Sequence, residues 1–189
     1  MFLVEITAKI LAAPIWRKST KRRFRDKVKT FFYGFRVLTK ARTIGKDFVC
    51  GNFSECSKNT FIGDNVRMNG VTIAGAGKVT IGNYVQFGEG ILIICQNHNY
   101  DNDVTIPYGR NDIPKDVEFG DFAWIGSRSV ILPGTKIGEG AIIQGGAVVH
   151  GEIPPYAIAG GNPAKVFKYR DKEHFTALKE QKSFLDYYN

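Results

Sequence analysis

An apolar residue recurs at every sixth position in the second half of the chain. The residues of this series are Phe119, Ile125, Ile131, Ile137, Ile143 and Val149. An α-helix repeats every 3.6 residues and a strand every two, so neither element gives this period. A period of six is typical of a parallel β-helix, in which each block supplies one short strand and one tight turn. The pattern therefore predicts a β-helix with these apolar side chains inside the shaft.

The same period occurs earlier in the chain, in two other registers. The first series is Ile44, Cys50, Cys56, Ile62 and Met68, and the second, offset by one residue, is Ile81, Phe87 and Ile93. Between the two series, Gly75 and Gly77 predict a local irregularity. The period then stops until Phe119, so residues 95–118 are predicted to form a loop that leaves the shaft. Because rigid scaffolds carry function on such loops, we expect the functional site there.

Amphipathic segments flank the predicted shaft. Residues 1–13 and 19–39 are predicted to be helices separated by a break at Pro14, and the second places its apolar residues at three- and four-residue steps. These residues are Phe24, Val28, Phe31, Phe32, Phe35 and Leu38. Residues 154–168 are predicted to be an extended tail. Residues 171–187 are predicted to be a helix that covers the open end of the solenoid.

The pattern divides the chain into three regions. These are a basic amphipathic helical arm at 1–40, a β-helix domain at 41–168 with the loop at 95–118, and a C-terminal helix at 169–189. The chain has a net charge of +8, whereas residues 1–40 alone hold eleven Lys and Arg against two acidic residues, or +9. The arm is expected either to pack on the shaft or a neighbouring subunit, or to attach to a membrane surface. Nucleic-acid binding is not favoured, because no recognised nucleic-acid fold accompanies the charge.

The cysteines and the apolar runs indicate the cellular compartment in which the protein is expected. Cys50 and Cys56 occupy inward positions of the repeat, which favours burial, and Cys95 begins the loop. Three cysteines without a Cys-x-x-Cys pair do not favour disulfides, which suits a reducing compartment. Residues 1–16 lack a signal-peptide pattern, and no apolar run is long enough to cross a bilayer. We expect a cytoplasmic protein, or one held peripherally at the inner face of the membrane.

Two further motifs accompany the repeat. They are Trp124-Ile125-Gly126-Ser127 and the ending PPYAIAGGNPAK, from Pro154 to Lys165. Together with the [Ile/Val]-Gly-x4 tandem, they resemble the hexapeptide-repeat acyltransferases, and within them the galactoside, maltose and xenobiotic O-acetyltransferase branch. The resemblance covers about residues 44–168. It implies an all-β fold, a left-handed parallel β-helix, assembled as a homotrimer with active sites between subunits.

The resemblance implies an acetyl-CoA-dependent O-acetyltransferase that acts on a sugar hydroxyl, in surface polysaccharide or glycan modification. N-acetylation of an amino sugar or of an antibiotic-like acceptor is the alternative, because the base and the donor site would look alike. A structural solenoid without activity should have lost the loop histidine or the Trp-Ile-Gly-Ser segment, and both are present. The β-helix carbonic anhydrases share the scaffold but need three convergent histidines on a metal. Only His98 and His150 lie in suitable regions, so no metal is expected.

Acyl transfer from a thioester to a hydroxyl needs a base, because a sugar hydroxyl is hardly ionised at neutral pH. Histidine is the side chain best matched to that task, and the chain has His98, His150 and His174. His98 lies at the base of the loop, where the resemblance implies the catalytic base. His174, in the C-terminal helix, is expected to have no role. The group that orients His98 stays open between Asp101, Asp103 and a backbone carbonyl.

The resemblance also implies residues that bind the donor. Ser127 matches a contact to the pantetheine region, and Gly145 matches a small residue whose backbone meets the pantetheine arm. Lys165 matches an arginine near the CoA phosphates, and it keeps the charge without the bidentate fork. His150 matches a CoA contact, with a surface histidine as the alternative. Trp124 either lines the tunnel near the acetyl group or packs at a subunit seam.

Four polar residues are predicted to bind the acceptor near His98. They are Asn69, Tyr100, Asp101 and Asn102. The resemblance places an asparagine from an earlier coil beside the acceptor. Asn69 is the candidate, although the one-residue offset before Ile81 shifts its alignment.

Overall fold

The structure of the chain is a computed structural model that describes residues 18–101 and 104–185. Within these residues the chain winds into the predicted left-handed parallel β-helix. The helices are α1 (Lys18–Tyr33), α2 (Phe35–Lys40) and α3 (Lys172–Glu180). The strands are β1 (Thr43–Ile44), β2 (Val49–Asn52), β3 (Thr60–Ile62), β4 (Arg67–Ala74), β5 (Val79–Ile81), β6 (Gln86–Ile94), β7 (Gln96–His98), β8 (Asp112–Pro114), β9 (Val117–Phe119), β10 (Trp124–Ile125), β11 (Val130–Ile131), β12 (Lys136–Ile137), β13 (Ile142–Ile143), β14 (Val148–Val149), β15 (Glu152–Ile153), β16 (Ala157–Gly161) and β17 (Ala164–Tyr169). The helix predicted over residues 1–13 and the predicted acceptor residue Asn102 lie outside the described residues.

The shaft has three faces, and the chain adds a strand to each in turn. The first face is the six-stranded sheet β1-β3-β5-β9-β12-β15. The second and third faces form one nine-stranded sheet, because β4 and β6 are long enough to continue from one face to the next. These two strands turn at Gly70 and Gly90, whose φ angles of +79° and +68° favour glycine. Strands of the first face pair in parallel, with Ile44 opposite Ile62.

The core of the shaft consists of the residues at the sixfold positions. All six apolar residues of the 119–149 series are at most 3% exposed. The earlier inward residues Cys50, Cys56, Ile62 and Met68 are buried as well. Since apolar burial contributes about 25 cal/mol per Å², this continuous row stabilises the whole shaft. The predicted inward positions are confirmed, except that Ile44 is only partly buried in the first coil.

Three corners join the faces. The glycine corner joins the second face to the third, at positions 69–70, 88–90, 126–128, 144–146 and 160–161. The loop corner joins the third face to the first, at positions 75–77, 95–116, 132–134 and 150–151. The aromatic corner joins the first face to the second and carries Tyr84, Phe122, Gly140 and Tyr156.

The irregularity predicted at Gly75 and Gly77 lies in the loop corner. A Cβ atom at Gly77 would collide with the carbonyl oxygens of Cys95 and Lys115, which are the two ends of the loop. Gly75 has a φ angle of +118°, which residues with a side chain rarely adopt. The irregularity therefore makes room for the root of the loop.

The helix predicted over residues 19–39 is divided into α1 and α2 at Gly34. A Cβ atom at Gly34 would lie 2.7 Å from the carbonyl oxygen of Thr30 and 2.8 Å from the Cβ atom of Cys50. Glycine therefore lets the arm approach β2 closely. Val37 of α2 is fully buried and closes the start of the shaft beside Cys56.

The position predicted for the C-terminal helix needs correction. The helix α3 does not cover the open end of the shaft but lies along the aromatic corner. Phe175 packs edge-on against Phe122 and Tyr156, and the ring of Phe184 lies 4.7 Å from that of Tyr84. The reason is the antiparallel pairing of β16 with β17, which returns the chain to the side of the shaft.

None of the described helices combines the length and the apolar composition that a membrane span requires.

Candidate active site

The predicted loop of residues 95–118 projects from the loop corner, and strands near its two ends pair with each other as a short hairpin. Strands β7 and β8 pair antiparallel, with Gln96 opposite Pro114 and His98 opposite Asp112. Gly77 supports the root, because its backbone nitrogen donates a hydrogen bond to the carbonyl oxygen of Cys95. The hairpin therefore places His98 on a paired strand rather than on irregular chain.

The side chain of His98 is oriented by Asp112. The Nδ1 atom of His98 lies 2.6 Å from Oδ1 of Asp112. An ionised carboxylate can only accept a hydrogen bond, so Nδ1 carries the proton and donates it. The Nε2 atom is then left with its lone pair, which is the state that a general base needs.

Asp112 is itself held by Gln96. The Nε2 atom of Gln96 donates to Oδ2 of Asp112 at 2.9 Å. The Oε1 atom of Gln96 accepts a hydrogen bond from the backbone nitrogen of Ala76, also at 2.9 Å. A chain of hydrogen bonds thus runs from the shaft at Ala76 through Gln96 and Asp112 to His98, so backbone geometry fixes the imidazole.

Tyr108 restrains the imidazole of His98 from one side. The two rings are stacked, with centroids 4.0 Å apart and planes 7° from parallel. The side chain of His98 is about half exposed, at 52%. The ring is therefore held at one edge and one face while Nε2 stays open to an acceptor molecule.

Sequence reasoning missed the partners of His98. Of the predicted orienting carboxylates, Asp101 is exposed after β7 and Asp103 lies outside the described residues, and the hydrogen-bonded carboxylate is that of Asp112 instead. Tyr100, a predicted acceptor residue, is exposed as well. One signal was available, because the carboxylate of Asp112 lies near the far end of the predicted loop, whereas His98 lies near its beginning.

The predicted donor residues Ser127, Gly145 and Lys165 are stacked along the glycine corner. The carbonyl oxygen of Ser127 accepts a hydrogen bond from the nitrogen of Gly146 at 2.9 Å, so Ser127 and Gly145 lie on consecutive coils. Lys165 of β17 is opposite Gly160 of β16, one coil further on. Neighbouring strands are spaced about 4.8 Å apart, so the three steps from Ser127 to Lys165 make this column roughly 14 Å long.

The glycine corner is narrow between Ser127 and Gly145. A Cβ atom at Gly145 would lie 3.1 Å from the carbonyl oxygen of Ser127. At Gly126, a Cβ atom would collide with the backbone nitrogen of Gly145. Glycine at these two positions lets consecutive coils pack closely, and the exposed backbone at Gly145 is not covered by a side chain.

Asn69 lies on the glycine corner too, two coils before Ser127. It is opposite Glu89, whose backbone nitrogen donates to Oγ of Ser127 at 3.0 Å. Asn69 and the half-exposed Trp124 line a groove of about 370 Å³ on the second face. The basic side of α1 forms its other wall. The residues of that wall are Arg22, Arg25 and Lys29.

The other two histidines lie apart from His98. His150 is exposed on the loop corner, on the second coil after the hairpin, and His174 lies on α3. Nowhere in residues 18–101 and 104–185 do three or more His, Cys, Asp or Glu side chains come together in a way that could hold a metal ion.

Known proteins share this arrangement of coils. Residues 116–151 match the family described as bacterial transferase hexapeptide (six repeats). Over this segment the chain is similar to the hexapeptide-repeat family. A maltose O-acetyltransferase from Clostridium difficile 630 has the same fold as this chain. The TM-score is 0.66 at 25% identity, over 82% of this chain and 89% of that one.

Two curated proteins with similar sequences are also acetyltransferases. A chloramphenicol acetyltransferase of Agrobacterium fabrum is 34% identical over 125 residues, which are 57% of this chain and 60% of that protein. WbbJ of Escherichia coli K12, an O-acetyl transferase assigned to lipopolysaccharide biosynthesis, is 34% identical over 122 residues, 60% of this chain and 62% of that protein. The chain thus spans about three-fifths of the length of each relative.

Proposed function

We propose that the protein is an acetyl-CoA-dependent O-acetyltransferase that transfers the acetyl group to a sugar hydroxyl. The observation that carries this proposal is the pair formed by His98 and Asp112, with Nδ1 and Oδ1 2.6 Å apart. It supplies an oriented general base on a loop of a hexapeptide-repeat scaffold. The acetyltransferase relatives support acetyl-CoA as the donor substrate.

In the proposed reaction, His98 accepts the proton of the acceptor hydroxyl at Nε2 while the hydroxyl oxygen attacks the thioester carbonyl carbon. The tetrahedral intermediate collapses, the carbon–sulfur bond breaks, and His98 returns the proton to the departing thiolate. The products are an acetyl ester and the free thiol of CoA, so protons and electrons balance. While His98 holds the proton its ring is positively charged, and Asp112 stabilises that charge. No metal is required.

The donor is proposed to lie along the glycine corner. Ser127 and Gly145 would contact the pantetheine arm, because both are exposed on consecutive coils of this corner. Lys165, at the end of the same column, would bind the CoA phosphates. Trp124 and His150 are the two remaining proposed contacts to the donor.

The acceptor is proposed to be a sugar or glycan, held by Tyr100, Asp101 and Asn102 on the loop of His98 and by Asn69 on the glycine corner. The half-exposed ring of His98 supports an acceptor that enters from solvent. The similarity to WbbJ supports a role in modifying a surface polysaccharide. We also propose a cytoplasmic location at the inner face of the membrane, where acetyl-CoA and glycan precursors meet.

The active site is proposed to lie between the subunits of a homotrimer. His98 lies beyond the loop corner, whereas the proposed donor residues lie on the glycine corner. The third face separates the two corners, and the five residue steps from Gly90 to Cys95 span roughly 16 Å at about 3.3 Å each. An imidazole cannot bridge that distance within one subunit. A second copy that sets its loop corner against the glycine corner would complete the site.

The activity is tested by release of the CoA thiol from acetyl-CoA, with hexoses, amino sugars, chloramphenicol and an oligosaccharide as acceptors. We expect thiol release when a sugar supplies the acceptor hydroxyl, and we expect mass spectrometry to detect an acetyl ester of that sugar. Turnover on amino sugars with an amide product would replace the proposal by N-acetylation. Binding of acetyl-CoA without turnover on any acceptor, including the oligosaccharide, would favour a scaffold.

The site between subunits is tested by mixing two inactive variants, His98→Ala and Gly145→Trp, in which the indole would cover the exposed backbone beside Ser127. When the two variants are unfolded, mixed and refolded, some neighbouring subunits in the mixed trimers combine an intact His98 with an intact Gly145. Random mixing restores about a quarter of the wild-type sites in a cyclic trimer. A site built within one chain would stay inactive in every mixture, because each chain carries one of the two defects.

A further inference from the structure

The arm exposes its largest apolar side chains to solvent. The exposed fractions are Phe24 52%, Val28 39%, Phe31 59%, Phe32 65%, Phe35 55% and Leu38 42%. The six residues, here named the phenylalanine stripe, recur at three- and four-residue steps along α1 and α2 and so share one side of the arm. The ring of Phe31 packs edge-on against those of Phe32 and Phe35, with centroids 5.5 Å and 6.4 Å away. Soluble surfaces rarely expose so much contiguous apolar area unless it binds something.

The opposite side of the arm is docked on the shaft by polar groups. Asp26 is 5% exposed, and its Oδ2 atom accepts a hydrogen bond from Arg67 at 3.0 Å. The Oγ1 atom of Thr30 accepts a hydrogen bond from the backbone nitrogen of Cys50 at 2.9 Å. Turning the arm to bury the phenylalanine stripe would leave these buried groups unpaired, which is costly. The hydrogen bonds on the docked side of the arm therefore hold the phenylalanine stripe on the outer side.

The arm is strongly basic around this stripe. Residues 18–40 contain nine Lys and Arg, and Asp26 is their one acidic residue, so the net charge is +8. Lys21 lies three residues before Phe24, and Lys27 four before Phe31, so both lysines border the stripe. A helix with exposed aromatic residues between basic ones is typical of proteins that lie on anionic bilayers.

We propose that the phenylalanine stripe binds the surface of an anionic phospholipid bilayer. The arm lies in the plane of the surface, the aromatic rings enter the boundary between headgroups and acyl chains, and the lysines contact the phosphate groups. Charge complementarity favours this occupant over a second copy of the arm, which would bring another +8 against it. The proposal is independent of acyl transfer and of the acceptor.

The test places a thiol on the stripe of the full-length chain with Phe31→Cys. The native thiols of Cys50, Cys56 and Cys95 are buried, and burial raises the pKa of each, so they react slowly. The control is Phe167→Cys, because Phe167 is 61% exposed on β17, far from the arm. The measurement is the rate of labelling by a water-soluble maleimide in the presence of vesicles. One set of vesicles is phosphatidylcholine alone, and the other contains about one-third phosphatidylserine, whose anionic headgroups attract basic segments.

We expect fast labelling of Phe31→Cys in solution and slowing by roughly tenfold or more with anionic vesicles, because insertion removes the thiol from water. Neutral vesicles should protect weakly, and Phe167→Cys should label equally under all conditions. Adding Lys21→Gln and Lys27→Gln, or raising the salt, should reduce the protection.

Three results would overturn the proposal. Equal labelling with and without anionic vesicles would show that the stripe does not meet lipid. Slow labelling at every protein dilution without vesicles would assign the stripe to residues 1–17 of the same chain. Slow labelling that becomes fast on dilution would assign it to a second copy.

Discussion

The glycine corner and the loop corner hold their site residues by different means. On the glycine corner, Ser127 and Gly145 are placed by backbone hydrogen bonds between consecutive coils. On the loop corner, His98 is placed by a chain of side-chain hydrogen bonds through Asp112 and Gln96. The glycine corner thus presents exposed backbone that the donor can contact, and the loop corner presents one oriented proton acceptor, His98. Changes at the loop corner should therefore alter kcat, and changes at the glycine corner should alter KM for acetyl-CoA.

The largest effect is expected at His98. Replacement by alanine removes the proposed base, which should lower kcat by about 10²- to 10⁴-fold and leave KM for acetyl-CoA unchanged. Thiol release at saturating acceptor measures this effect. His174→Ala is the matched control, because His174 lies on α3, away from both corners. A kcat for His98→Ala close to that of the control would remove His98 from the mechanism.

Asp112→Asn should have the second largest effect. The amide cannot stabilise the charged imidazole as a carboxylate does, so kcat should fall roughly 10- to 100-fold, the size expected for losing a hydrogen bond to a charged group. KM for acetyl-CoA should not change, and Asp112→Glu should restore part of the activity. A loss that Asp112→Glu does not restore, together with a lower melting temperature, would mean that Asp112 only holds the hairpin.

Gly145→Val should act on the donor rather than on proton transfer. The valine methyl groups would crowd the exposed backbone beside Ser127, where a Cβ atom alone would lie 3.1 Å from the carbonyl oxygen. Overpacking typically costs 1–3 kcal/mol, so KM for acetyl-CoA should rise roughly tenfold or somewhat more. Gly145→Ala should give a smaller rise. An unchanged KM with a reduced kcat would contradict the assignment of donor binding to the glycine corner and proton transfer to the loop corner.

Lys165→Ala should have the smallest effect of the four. An exposed charge contributes about 0.2–1 kcal/mol, so KM for acetyl-CoA should rise only two- to fivefold, roughly, and the rise should shrink at high salt. Lys165→Arg should lower KM, since the guanidinium can bind a phosphate group with two hydrogen bonds. Equal KM values for dephospho-CoA and CoA thioesters in the wild type would argue against a phosphate contact.

The sixfold period was sufficient to predict the shaft, because inward positions are set by local repetition. Phe119, Ile125 and Val149 are buried where the period places them. The same repetition places Ser127 and Gly145 one coil apart, at 18 residues. Periodicity was also sufficient to find the loop, since a loop is where the period stops.

The partners of His98 could not be predicted in this way. Asp112 is 14 residues away, and only the pairing of β7 with β8 brings the two side chains together. Such pairing depends on the register of a hairpin, which an irregular sequence of 13 intervening residues does not specify. Asp101 is nearer in sequence but lies beyond β7, where the chain has left the paired strand.

The arm shows a second limit of sequence patterns. Its phenylalanines have the spacing of a buried helix face, but the buried face carries Asp26, Thr30 and Gly34. Small and hydrogen-bonding residues let the arm approach β2 more closely than aromatic rings would. The pattern identifies the apolar side of a helix correctly, but it does not say what that side meets.

The position of α2 over the first coil has a consequence for how firmly such a protein would stay on a bilayer. Val37 closes the shaft at its first coil, so the phenylalanine stripe belongs to that end of the molecule. A threefold axis carries every copy of a feature to the same height, so a trimer would present three stripes toward one plane. One attached arm would hold the other two at high effective concentration near the same surface. Contacts that are individually brief would then act together as a long-lived, reversible anchor.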